Sequence, residues 1–249
     1  MESIKVLIPT DFSVQAEFAY LMVKKMEEKI GVDIHFLNVM NVPESVTMDT
    51  NGNIQTCGEI DIDYLVKQKD IAERKLRELK DTYGKDITSH FIFGKITDGI
   101  IQFAEVNNFD LIVMGTKGSW GVKEQLSGSE TQIVARKSKI PVLSLMCDHS
   151  DLDIRNILLV HNFNHPVKQE LQLMHKLIKA FNTKFHLLQI ASVNTATEKA
   201  YVDENMKTFA ALNNISNYEC HIINDKDVEN GVIHFNQINN MDMVCIGTH

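Results

Sequence analysis

Short, continuously apolar runs alternate along this chain with longer stretches in which apolar residues recur every three or four positions. Residues 4–8 are apolar apart from Lys5 and stop at Pro9-Thr10-Asp11, the pattern of a buried strand meeting a turn. Ser13 stands where it can cap a helix. Ala16, Phe18, Ala19, Leu21, Met22 and Met26 follow at helical spacing, and Gly31 is the expected stop of a helix over 13–30. Residues 34–39 predict a second strand, and the polar stretch 41–59 predicts a loop. The charged segment 61–83 predicts a long helix with Ile71, Leu76 and Leu79 on its apolar stripe and Gly84 at its end. Segments 87–93, 98–106, 111–114, 131–137 and 141–145 continue as strand, helix, strand, helix, strand. Continuous apolar strands alternating with amphipathic helices predict an α/β fold: a doubly wound parallel sheet with helices on both faces and right-handed crossovers.

The pattern then repeats. Residues 5–13 (KVLIPTDFS) resemble 156–164 (NILLVHNFN), and 34–39 resemble 185–190, both at an offset of 151. Residues 110–116 (DLIVMGT) match 242–248 (DMVCIGT) at an offset of 132, so the second copy is shorter by 19 residues, a loss expected around the 41–60 loop. Two tandem units are therefore predicted, at 1–147 and 154–249, joined by the polar segment 147–153. The second is expected to be incomplete at its C-terminal end, without counterparts of 117–146.

Composition narrows the function classes. The 44% apolar content with 23% charged residues and 4 prolines is that of a folded globular protein. The net charge of −8 divides as −5 over residues 1–150 and −3 over residues 151–249. Neither half carries the clustered Lys and Arg on which nucleic-acid or anionic-lipid binding rests, so neither partner is expected. The first ten residues lack the pattern of a secretory signal, and no run approaches the roughly 18 apolar residues of a membrane span; a cytoplasmic location is expected. Cys57, Cys147, Cys220 and Cys245 are scattered, without CxxC or zinc-type spacing, so reduced thiols and no metal centre are expected.

The chemistry-bearing segment follows the fourth predicted strand. Gly115, Gly118, Gly128 and Ser129 form G-x2-G-x9-G-S. Such glycines let backbone N–H groups turn towards an anion, and the helix that opens at Ser129 adds its positive dipole end. A glycine-bearing surface loop closed by a Ser cap is the alternative. Asp11 and Gly115 lie at the carboxyl ends of strands that flank the crevice of an open parallel sheet, where ligands bind at the switch in strand order. Asp11 is equally readable as a turn residue, and Val39 as core rather than a wall for a flat heterocycle.

Together the 9–13 segment PTDFS, strand-end Val39, the glycine spacing and Pro141-Val142-Leu143 resemble the universal stress protein family in tandem arrangement, over essentially the whole chain, with the loop motif in the first copy. The resemblance implies a Rossmann-like, adenine-nucleotide alpha hydrolase-like unit that holds ATP, with or without Mg²⁺. Carried over by position, Pro9, Thr10, Asp11, Val39, Met114 and Gly115 surround adenosine. Gly118, Gly128, Ser129, Glu130 and Thr131 approach the phosphates. Glu130 departs from this scheme, because a carboxylate beside phosphates is repulsive unless it points away or a metal intervenes. In the second copy Asn162 replaces the Asp and His161 stands where Thr10 does, so that copy is expected to be structural.

Other residues have plainer readings. His35 and His186 occupy matching strand positions and read as hydrogen-bonded packing residues, with no Ser or Asp partner identifiable. Glu59, Asp61 and Asp63 could form a metal patch or favour the positive end of a helix. Lys117 and Lys123 could assist phosphate binding or be solvated loop lysines, and Trp120 could cover the ligand or serve at an interface. No catalytic residue is evident, so the function expected is an ATP-binding stress-response module with output by occupancy and at most slow hydrolysis. Two alternatives stay open: a nucleotide-independent dimeric adaptor, and an adenylyl-transferring enzyme, against which stands the lack of HxGH, SGGxDS and Walker A signatures. The expected partners are an adenine nucleotide and a second copy of the chain, paired through the edge strand 142–145.

Overall fold

A computed structural model describes residues 3–43, 45–49, 53–56, 61–84, 86–116, 130–148, 153–168, 171–190 and 195–247. The chain divides into two compact units, Met1–Asp151 and Leu152–His249. Both are α/β units built on parallel sheets. No helix among the described residues is long and apolar enough to cross a membrane.

In the first unit, β1 (Ile4–Pro9) lies at the centre of a five-stranded sheet with β2 (Val32–Met40) on one side and β6 (Leu111–Gly115) on the other. Outside these lie β5 (Thr88–Phe93) and β7 (Val142–Leu145), giving the order β5-β2-β1-β6-β7 with every pairing parallel. The continuously apolar strands are buried on both faces: Val6, Leu7 and Ile8 have no exposed surface. Leu7, Leu37 and Ile112 of the sheet pack with Ile100, Ala104 and Val134 in one apolar cluster.

Helix α1 (Val14–Glu27) starts where the Ser13 hydroxyl accepts the Ala16 N–H. It ends at Glu28, earlier than expected, and Gly31 is not its stop. Gly31 instead accepts the Ile4 N–H, and a Cβ there would come within 3.3 Å of the Ser3 Cβ, so the missing side chain allows two strand starts to run side by side. Helix α2 (Ile62–Tyr83) is capped by the Asp61 carboxylate and stops at Gly84, whose φ of 125° suits glycine. Its buried residues are Leu65, Ala72 and Leu76; Leu76 lies on the expected stripe and Leu79 is half-buried, but Ile71 is exposed and its neighbour Ala72 takes the buried position.

The polar stretch before α2, read as a loop, contains a small antiparallel hairpin of β3 (Val46–Met48) and β4 (Ile54–Thr56). Among the described residues, helices α3 (Ile96–Val106) and α4 (Glu130–Lys137) make up the rest of the unit.

The second unit repeats the scheme with four strands. They are β8 (Asn156–Val160), β9 (Lys184–Ile190), β10 (Tyr218–Ile223) and β11 (Met243–Ile246), in the order β10-β9-β8-β11, all parallel. Helices α5 (Gln172–Phe181), α6 (Ala196–Leu212) and α7 (Val228–Asn239) alternate with them. The repeat extends to single hydrogen bonds. Asp110 accepts the Lys5 N–H at 2.7 Å, and its counterpart Asp242 accepts the N–H groups of Arg155 and Asn156, so each aspartate ties the start of one strand to its neighbour.

Candidate functional site

A cleft of about 340 Å³ opens in the first unit at the carboxyl ends of β1, β2 and β6. Strand order reverses between β1 and β6, so this is the crevice where an open parallel sheet leaves room for a ligand. Pro9, Thr10 and Asp11 line it from β1, Leu37, Asn38 and Val39 from β2, and Met114, Gly115 and Thr116 from β6. Ser13, Gln15 and Ala16 border it from the start of α1, Ile96 and Ile100 from α3, and Glu130 and Thr131 from α4. Of the residues singled out from sequence, Pro9, Thr10, Asp11, Val39, Met114, Gly115, Glu130 and Thr131 come together here. Gly118, Gly128 and Ser129 lie outside the described residues, as do Glu59, Lys117, Trp120 and Lys123.

The β1 end is held by its own side chains. Thr10 is buried, and its hydroxyl accepts the Phe12 N–H at 3.0 Å. Phe12 takes φ of 64°, which swings the chain from strand to helix, and Asp11 Oδ1 accepts the Ser13 N–H at 3.0 Å. Asp11 is therefore a turn residue, as one reading of the sequence had it, and it also lines the cleft. Asn38, which the sequence did not single out, donates its amide N–H to the Thr10 carbonyl at 2.7 Å and pins β1 to β2 at the cleft floor. A polar residue next to Val39 at the end of an apolar strand was the signal that could have found it.

Gly115 has a packing role. A Cβ there would lie 1.9 Å from the carbonyl oxygen of Gln15, so β6 passes the first turn of α1 at a distance only glycine allows. Val39 is half-buried and packs on α3 at Gly99, where a Cβ would meet it at 3.0 Å. Thr131 is buried and Glu130 exposed. Among the described lining residues the ionisable ones are Asp11 and Glu130, both carboxylates.

Residues 4–145 match the universal stress protein family. The chain belongs to that family. Universal stress protein MJ0577 of Methanocaldococcus jannaschii is 30% identical over 149 residues, 56% of this chain and 92% of that one. Universal stress protein MJ0531 of the same organism is 27% identical over 139 residues, 56% of this chain and 79% of that one. A solved universal stress protein from Archaeoglobus fulgidus superposes on 99% of this chain and 88% of its own length, with a TM-score of 0.71 at 22% identity, a likeness of fold that extends over both units.

In the second unit the turn that follows β8 has the same form as the one after β1. Asn162 makes the same turn as Asp11, accepting the Asn164 N–H at 3.0 Å. Phe163 is fully buried, its N–H is held by the Gln189 side chain at 3.1 Å, and its ring meets Phe209 and His161. Gln189, at the position of Asn38, is buried and donates to the Asn164 side chain.

The two strand histidines are packing residues, as expected, but each has a histidine partner that the sequence did not indicate. His35 Nδ1 lies 2.9 Å from His90 Nε2, and His186 Nδ1 lies 3.0 Å from His221 Nε2, with rings stacked in both pairs. Burial and the neighbouring His35 push His90 down from its ordinary 6.5 to about 4.

Proposed function

We propose that the first unit binds ATP in the β1/β2/β6 cleft and signals by occupancy rather than turnover. The observation that carries this reading is the convergence of eight residues, chosen from the sequence for adenosine and phosphate contact, on one cleft at the switch in strand order. Its 340 Å³ lies within the range of about 300–1,000 Å³ usual for small-molecule sites. Leu37, Val39, Ile96, Ile100 and Met114 supply apolar surface for a purine, and Asp11 can accept from a ribose hydroxyl or an amino group. The α4 N-terminus, with Thr131, faces the side where phosphates would lie.

Two carboxylates at the rim make a bare triphosphate a poor fit, so the bound species in this reading is ATP with Mg²⁺, the cation offsetting Glu130. Occupancy as the output is supported by the engagement of Thr10, Asp11 and Asn38 in backbone contacts, which leaves them holding the site's shape. The second unit, where Asn162 and His161 stand at the positions of Asp11 and Thr10, is a structural partner in this reading, and the chain forms a homodimer through β7.

Isothermal titration of the full chain with ATP and Mg²⁺ tests the proposal. One nucleotide per chain is expected, with weaker binding in the presence of a chelator. A stoichiometry near two, or neither heat nor thermal stabilisation at millimolar ATP, overturns it.

A further inference from the structure

The second histidine pair has a neighbour that the first pair lacks. β9 and β10 run parallel with His186 opposite Glu219 and Leu188 opposite His221. Residues two apart on a strand share a face, so Glu219 and His221 flank His186 on one side of the sheet. The two imidazoles and the carboxylate each bring a ligand atom to within 4.8 Å of the others, and among the described residues this is the one place where three such groups converge. We propose that His186, Glu219 and His221 form a binding site for a divalent transition-metal ion, zinc in the first instance.

The chemistry of the three groups fits that ion. Two imidazoles and one carboxylate are a zinc donor set that leaves a fourth tetrahedral position open, and imidazole favours zinc over the hard cations magnesium and calcium. His186 is already oriented. Its Nε2 lies 3.2 Å from the Asn156 side-chain oxygen, an acceptor, which fixes the proton on Nε2 and the lone pair on Nδ1. A ligating histidine usually has its second nitrogen anchored in this way.

The lone pair of His186 Nδ1 points at His221 Nε2, 3.0 Å away. Zinc–nitrogen bonds of about 2.0–2.1 Å place two tetrahedral ligands roughly 3.3 Å apart, so the rings need open by only a few tenths of an ångström. The proton now shared between the rings passes to the other nitrogen of His221 or to solvent. Phe235 packs its edge against the His221 ring at 4.8 Å and limits its swing. His186 is buried whereas Glu219 is exposed, so an ion enters from the carboxylate side. There Lys184 pairs with Glu219, and the ion displaces a single ammonium on an exposed side chain.

The first unit sharpens the assignment. Its pair is as close, 2.9 Å between nitrogens, but Thr88 stands opposite His35 where Glu219 stands opposite His186. Asp33 approaches His35 at the other nitrogen, Nε2, away from the shared space. The carboxylate on the correct side is found in the second unit. No local sequence motif marks it, because the ligands come from two strands, 33 and 35 residues apart.

Titration of tag-free full-length protein with Zn²⁺, in competition with a chromogenic chelator, tests the site, with Co²⁺ as a spectroscopic probe of four-coordinate geometry. One equivalent per chain is expected, with visible Co²⁺ bands of four-coordinate intensity. Glu219→Gln, at an exposed position that does not threaten folding, and His221→Gln, with folding checked by circular dichroism, should each weaken binding by more than tenfold. Asn156→Ala, which touches only the distal nitrogen of His186, should weaken it by about 10–100-fold. His90→Gln in the first unit should leave it unchanged. Absence of binding at about 100 µM metal, undiminished binding in both Glu219→Gln and His221→Gln, or loss of binding in His90→Gln overturns the proposal.

Discussion

Gly115 and His90 show how single positions in this fold answer to packing first. A methyl group at Gly115 would fall inside the Gln15 carbonyl, which is backbone of α1 and has no side-chain freedom with which to yield. Gly115→Ala should therefore destabilise the first unit by about 1–3 kcal/mol, the usual cost of overpacking, and urea unfolding will measure it. An unchanged midpoint would mean that α1 can shift freely. His90 carries a different prediction. It takes a proton near 6.5 in the unfolded chain but only near 4 in the folded one, because burial disfavours its charge and His35, Lys5 and Lys80 repel it. Between those values the unfolded state holds more protons, so stability is complete above about 6.5 and falls as pH drops towards 4. Since the ring is only half-buried, the loss should be on the order of 1–2 kcal/mol. His161, also lowered by burial, acts with the same sign. Urea midpoints between pH 4 and 7 should show a shallower slope for His90→Gln than for the unaltered chain, and parallel slopes would refute the assignment. The sequence marked Asp11 and Gly115 but not these causes, because a 1.9 Å approach and a cross-strand histidine partner arise only when distant segments meet.

At the scale of elements, each unit seats one helix on its second strand through a glycine. Gly99 of α3 rests on Val39, and Gly231 of α7 rests on Ile190, where a Cβ would lie 2.8–2.9 Å from three side-chain carbons. These glycines set how closely α3 and α7 approach the sheet. Gly231→Val should push α7 outward and destabilise the second unit by about 1–3 kcal/mol, leaving the first unit's nucleotide affinity within error. Calorimetric unfolding in parallel with ATP titration checks both, and an unaltered thermogram would show that α7 is not held at this point. The alternation of strands and helices was legible because buried parallel strands are apolar on both faces and need no periodicity to stand out. The β3/β4 hairpin was not legible. Its strands are three residues long, and tertiary packing of Val42 and Val46 on Leu65, with Ile54 and Phe93 beside them, stabilises what local preference leaves as a polar loop. Ile71 misled for a related reason: in a helix of 22 residues, neighbouring apolar positions compete for one stripe, and burial falls on Ala72 rather than Ile71.

For the whole molecule, the repeat at offsets of 151 and 132 located both units, since equivalent strands preserve their apolar runs even where the cleft residues change. Assembly depends on what that repeat leaves at the sheet edges. On the β5 side of the first unit the hairpin packs against Phe93, but among the described residues β7 pairs with β6 alone, and Met146 just beyond it is exposed. The hydrogen bonds of β7 show which of its residues face outward. Pro141 and Leu145 direct their carbonyls to the N–H groups of Ile112 and Thr116, so by strand alternation 141, 143 and 145 face β6, and 142 and 144 face the open edge. In a two-fold homodimer through β7, the proposed assembly, the backbone of Val142 and Ser144 would pair with the same residues of a second chain. Ser144→Pro then removes an outward N–H without touching the β6 ladder, and Ser144 is exposed, so no core packing is lost. Light scattering at tens of micromolar should find the unaltered chain dimeric and Ser144→Pro monomeric, with equal far-ultraviolet circular dichroism. A monomeric unaltered chain, or a folded Ser144→Pro variant that stays dimeric, would place the contact elsewhere or remove it, because a strand edge lacking its central donor has no second way to complete the ladder.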